Sequence, residues 1–171
     1  FHNRLGHMYE NYFENALEAN KYLSQNSKNI ADKAEAFADV LYKTTLPDFY
    51  PDSWSAQLST IIKDSWYIKN GKFGLWEGLG FCGFHTTDIT YHASFGLINL
   101  FPDLQKKQMR LGAEFQRKDG RVHHLFRPGF EVVDNGYDRV DMNMQLYLIP
   151  VGFVYFAETT SLETPSLTTL A

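Results

Sequence analysis

Chemistry is first suggested in this sequence by a carboxylate beside an aromatic run. Glu77 follows Lys72-Phe73-Gly74-Leu75-Trp76 and precedes Gly78. β-prone residues before it and glycine after it place the acid where an ordered strand opens into a loop, a position from which a rigid scaffold can hold a reactive group. A carboxylate there can serve as nucleophile or proton acceptor, or it can be a solvated or loop-capping glutamate, as most of the 20 acidic residues must be. Asp88, in Thr86-Thr87-Asp88, stands just before a helical run, where a capping role alone would account for it. His123 and His124 fall in a stretch without periodicity; an imidazole there can meet a ligand hydroxyl, or be solvated or bonded to backbone. The other histidines, His2, His7, His85 and His92, show no metal-ligand spacing, and the lone Cys82 allows neither an internal disulfide nor a thiolate zinc cage. The glycines between Gly78 and Gly83 lack the strand and helix context of a phosphate loop. Neither metal nor cofactor is expected.

The elements that must carry these residues are mostly helical by pattern. Tyr9, Phe13, Ala16, Leu17 and Leu23 recur at helical spacing. After the polar run Ser24-Gln25-Asn26-Ser27-Lys28-Asn29, the period resumes at Ile30, Ala34, Phe37, Ala38 and Leu41, as a second helix or a continuation. Leu46-Pro47-Asp48 closes that run, since the residue before proline is pushed out of helical geometry. A third helix follows, with Pro51 suited to its first turn and Trp54, Leu58, Ile61 and Ile62 on one side. The pattern then changes. Trp66-Tyr67-Ile68-Lys69 and Lys72 to Trp76 flank Asn70-Gly71, the strongest short hairpin signal, because both turn residues tolerate positive φ. Residues 77–87 read as a loop; helices resume around Tyr91, Phe95 and Ile98, with Asp88 or a preceding threonine as a possible cap, and again after Pro102. Residues 121–140 read as an irregular loop, and a last helix begins near Asp141. Trp54, Trp66 and Trp76 are expected in the core rather than as sugar platforms, Trp76 being the one that adjoins Glu77. Residues 1–158 read as one domain, and 159–171, mostly Ser, Thr, Leu, Glu and Pro, as a disordered tail. All-α with one short β-hairpin near residues 66–76 is the fold class this implies.

Composition narrows the partners. Net charge is −4 and no dense Lys/Arg cluster occurs, so the electrostatic footprint of a nucleic-acid binder is missing. The longest apolar stretch, Leu146 to Ala157, is too short to span a bilayer and contains Pro150 and Gly152. Cysteine usage suits a reducing compartment such as the cytoplasm. Aromatic residues make up 16%, an abundance that fills cores and also stacks on sugar rings.

Several segments, taken in order, resemble one family. Leu46-Pro47-Asp48, Lys72 to Gly78, Asp88-Ile89-Thr90-Tyr91-His92-Ala93-Ser94-Phe95, Leu100-Phe101-Pro102-Asp103-Leu104, Asp119-Gly120-Arg121-Val122 with His124 beyond, and Asp141-Met142-Asn143 are similar to the catalytic region of the non-lysosomal glucosylceramidases, or bile-acid β-glucosidases, of glycoside hydrolase family 116. The resemblance covers most of residues 40–148. It implies the N-terminal part of an (α/α)6 barrel of paired helices that hydrolyses β-linked glucosides or related sugars with retention. Glu77 then aligns with the nucleophile, and Asp88 and His124 align with residues that hold sugar hydroxyls. Retention needs a second carboxylic acid about 5–5.5 Å from the nucleophile. In the family that acid is an aspartate far downstream, in a region beyond Ala171. Two departures stand out: Leu125 follows His124 where the family has an aspartate, and Pro150 with Gly152 interrupts a helix that the family runs continuously. A noncatalytic carbohydrate-binding or interaction protein on the same helical scaffold is the rival reading, because fold does not determine function.

Overall fold

The computed structural model describes residues 5–78, 81–127, 130, 132–133 and 139–160. Most of these are helical. In chain order they form a 3-10 turn (Met8–Asn11), α1 (Ala16–Gln25), α2 (Ser27–Tyr42), α3 (Phe49–Lys63), β1 (Ser65–Tyr67), β2 (Phe73–Gly78), β3 (Phe81–Phe84), α4 (Thr87–Leu100), α5 (Pro102–Glu114), β4 (Leu125–Phe126), β5 (Val132–Val133) and α6 (Asp141–Thr160). Where the sequence suggests one domain over 1–158, the described residues group into two compact units, one of residues 9–63 and one of residues 5–8 with 64–160. Residues 161–171, most of the expected tail, lie outside the described residues, and α6 runs to Thr160.

The first unit is α1, α2 and α3. Helix α1 starts later than periodicity suggests, because Asn15 caps it: its Oδ1 accepts from the amides of Leu17 and Glu18 at 3.0 and 3.1 Å. The break between α1 and α2 shrinks to the single residue Asn26. Only Pro51 and Leu58 of α3 are buried, and Trp54 is exposed, against the expectation that it fills a core.

The second unit holds Glu77, Asp88 and His124. Its sheet has five antiparallel strands in the order β1-β2-β3-β4-β5, where the sequence suggested a single hairpin. β4 and β5 have two residues each, too few for an alternating pattern to register. The hairpin between β1 and β2 turns at Asn70-Gly71, but of these two only Gly71 has positive φ, +89°. The amide of Gly71 donates to Ile68 O at 2.9 Å and that of Ile68 to Lys72 O at 2.8 Å. This is a type I turn closed by a glycine bulge, which needs one left-handed residue rather than two.

The core is built on the sheet from Trp66, Ile68, Phe84, Leu111 and Phe126, joined by Trp76, Phe115 and Phe130. Trp66 and Trp76 stack at 5.8 Å, as expected of core tryptophans, and the Phe84 ring meets Trp76 at 5.0 Å. That ring lies over Gly74, where a Cβ would come within 2.6 Å of it. Helix α6 does not stop at Pro150: it continues through it to Thr160. Proline removes one backbone donor, but α6 packs along α4, with Met142 and Ile149 buried and Gly152 facing Ile98. Burial of this face outweighs one lost hydrogen bond.

Candidate functional site

Glu77 stands inside β2 rather than at its exit, and β3 takes up part of what reads as a loop over 77–87. Its position is irregular all the same. Trp76 pairs with Phe84 and Gly78 with Phe81, so β3 carries one more residue than β2 between those pairs. The result is a bulge opposite Glu77, of the kind that re-aims a side chain at the edge of regular pairing. Gly83 sits in this bulge. A Cβ on it would fall 2.9 Å from Glu77 Oε2 and 2.6 Å from Thr86 Oγ1, so the carboxylate and the hydroxyl both pack against its bare Cα. The Thr86 hydroxyl donates to Glu77 Oε2 at 3.0 Å.

The chain reaches Thr86 through a left-handed residue. His85, φ +52°, ends β3 and turns the chain into α4 while its amide still donates to Leu75 O at 2.8 Å. Its ring is buried, stacked on Phe126 at 5.3 Å, and fits because a Cβ on Gly112 would already be 3.0 Å from Nε2. Both ring nitrogens lack hydrogen-bond partners among the described residues. Burial pushes the imidazole down to about 4, so it is neutral at neutral pH.

Thr86, not Asp88, is the N-cap of α4, and its side chain makes no cap bond because it is turned to Glu77. The capping explanation for Asp88 therefore does not hold. Asp88 lies in the first helical turn and faces His124, with Oδ1 3.4 Å from Nε2. Thr87 ties the two segments together: its amide donates to His124 O at 2.8 Å and its hydroxyl to His123 O at 2.7 Å. Of the two histidines, His124 is the one that meets Asp88.

Arg139, which carried no signal in the sequence, joins this pair. Its Nη1 is 3.2 Å from His124 Nε2 and 3.9 Å from Asp88 Oδ2. A guanidinium can only donate, so in this contact His124 Nε2 is the acceptor. An accepting Nε2 cannot also donate to Asp88, and Oδ1 is indeed a buried oxygen with no hydrogen-bond partner among the described residues. The Asp88 side chain as a whole keeps 29% of its exposure.

Glu77, Asp88 and His124 are thus strung on one turn. Thr86 bonds to Glu77, Thr87 to the backbone of His123 and His124, and Asp88 approaches the His124 ring. No hydrogen bond or ion pair joins Glu77 directly to Asp88 or His124. An apolar cleft of about 280 Å³ opens elsewhere, between α4 and α6, lined by Tyr91, Phe95, Ile98 and Ile149 among others, and includes none of the three. Among the described residues no group of His, Cys, Asp and Glu could hold a metal ion, and no helix is long and apolar enough to cross a membrane. Sequence reasoning missed Gly83 and the bond from Thr86 to Glu77; a threonine before Asp88 was legible only as a possible cap, the position that Thr86 does hold. Comparison of the chain with protein-family models, curated proteins and solved structures returned no match.

Proposed function

We propose that the chain contributes the nucleophile and sugar-binding residues of a retaining β-glycosidase, acting on β-linked glucosides or related sugars. In this reading Glu77 attacks the anomeric carbon, Asp88 and His124 hold sugar hydroxyls, and the helices belong to an (α/α)6 barrel of paired helices. The observation that carries it is the Glu77 carboxylate bonded to Thr86 over Gly83, on the same turn that brings Asp88 to His124. A solvated glutamate would need neither the bulge, nor the bare Cα beneath it, nor the hydroxyl diverted from capping. A hydrogen bond to one oxygen fixes the carboxylate's orientation and leaves the other oxygen to attack. Asp88 accepts only, which matches the donor character of sugar hydroxyls.

In retaining hydrolysis a carboxylic acid about 5–5.5 Å away protonates the leaving oxygen. Among the described residues no carboxyl is bonded to Glu77, so the decisive test removes the need for that acid. A 2,4-dinitrophenyl 2-deoxy-2-fluoro-β-glucoside leaves without protonation and forms a slowly hydrolysed glycosyl ester. Intact-mass and peptide analysis should find one sugar on Glu77 in the wild-type chain and none in Glu77→Gln. Labelling at another residue, or equal labelling of the variant, refutes the assignment. Glycan binding without any labelling favours the noncatalytic carbohydrate-binding reading.

A further inference from the structure

The site contains a cation that the mechanism above does not use. Arg139 stands just before α6, its side chain 47% exposed, with Nη1 directed at the Asp88–His124 pair. Its nearest carboxylate oxygen among the described residues is Asp88 Oδ2 at 3.9 Å. Paired guanidinium and carboxylate groups close to about 2.7–2.9 Å and commonly bond through two parallel N–H donors. Among the described residues Arg139 has no such pairing, and only its Nη1 is engaged, with the ring of His124. The remaining donors of a planar fork are left beside an acceptor-only aspartate.

We propose that Arg139 makes this a site for a sugar that bears a carboxylate, a β-linked uronide. The inference rests on the reading of Glu77, Asp88 and His124 as a glycoside site. One pyranose ring then satisfies both neighbours: a hydroxyl donates to Asp88, and the ring carboxylate accepts two bonds from the Arg139 fork. A neutral glucoside carries a hydroxymethyl group in place of the carboxylate and leaves the fork to water. Without Arg139 the site would present the carboxylates of Glu77 and Asp88 to an anionic sugar, and like charges repel. With it, the cation offsets one of the two. The fork geometry favours a planar carboxylate, because arginine matches two coplanar oxygens.

Calorimetric titration of the full chain with methyl β-glucuronide and with methyl β-glucoside tests this, with ¹H–¹⁵N spectra to locate each sugar at the amides of Thr87, Asp88 and His124. The glucuronide should bind about tenfold tighter, equivalent to about 1.4 kcal/mol. In Arg139→Gln the ratio should fall to about one, and Arg139→Lys, which keeps charge but not the fork, should retain only part of it. Glucoside binding at these amides with no preference for glucuronide overturns the inference and leaves the glycoside site standing. A preference that survives in Arg139→Gln also overturns it. Failure of both sugars to shift these amides overturns the inference together with the reading beneath it.

Discussion

Lowering the pH from 7 to 4 asks His85 to accept a proton in a place that has no use for one. The ring is 1% exposed, stacked on Phe126, and neither nitrogen meets an acceptor among the described residues. Burial holds the native imidazole at about 4, while in the unfolded chain it takes the ordinary value of 6.5. Between those values the unfolded state binds the proton and the native state does not, so stability falls as pH falls. The window is therefore pH 6.5 down to 4; below it both states are protonated and the slope from this group vanishes. The free energy lost across the window is roughly 3 kcal/mol, at about 1.4 kcal/mol per tenfold change in proton affinity. His85→Asn removes the titration and keeps a residue that tolerates left-handed backbone. It also loses the ring stacked on Phe126, so the variant is weaker at pH 7; the quantity to compare is the slope. Urea unfolding should be followed by near-ultraviolet dichroism of the stacked Trp66 and Trp76, which share a unit with His85. Wild type should lose about 1–2 M in urea midpoint more than the variant over the window, for a slope near 2 kcal/mol/M. Parallel loss in the two proteins, to within about 1 kcal/mol, would refute the reasoning.

Two further outcomes follow from close approaches and exposed faces. Gly83→Ala places a methyl against Glu77 Oε2 and Thr86 Oγ1, which should cost about 1–3 kcal/mol as overpacking and, by displacing the carboxylate, slow glycosyl labelling of Glu77 by more than tenfold. Labelling at the wild-type rate would mean that the bulge does not position the acid. On α6 and the residue before it, Val140, Met144, Tyr147 and Val151 form an exposed stripe at helical spacing, so the chain should self-associate with rising concentration. Sedimentation should show Tyr147→Lys shifted toward the smaller species; an unchanged distribution would clear this face.

How much of this was legible depends on the range over which each feature is determined. Helices α2 to α6 were readable because an apolar face repeats many times within one element, and Asn70-Gly71 marked its hairpin by backbone tolerance alone. Pro150 was misread for a related reason: a local rule about one missing donor was set against the packing of α6 on α4, and packing prevailed. β3, β4 and β5 gave almost no periodicity, being two to four residues long, and they exist because each completes the backbone bonds of its neighbour. The links that assemble the candidate site are of this second kind. His85 gives only a weak turn signal of its own type, since any residue but glycine is uncommon in left-handed backbone, yet its φ of +52° is what delivers Thr86 to Glu77. With Thr86 turned to Glu77 its hydroxyl makes no cap bond to α4, and Gly83 must stay bare because two polar groups already occupy the space of its Cβ. Each of these residues has an innocent local reading as turn, cap or spacer. Only the register between β2 and β3, offset by one residue at the bulge, brings Gly83 and Thr86 to the same carboxylate, with His85 as the turn between them.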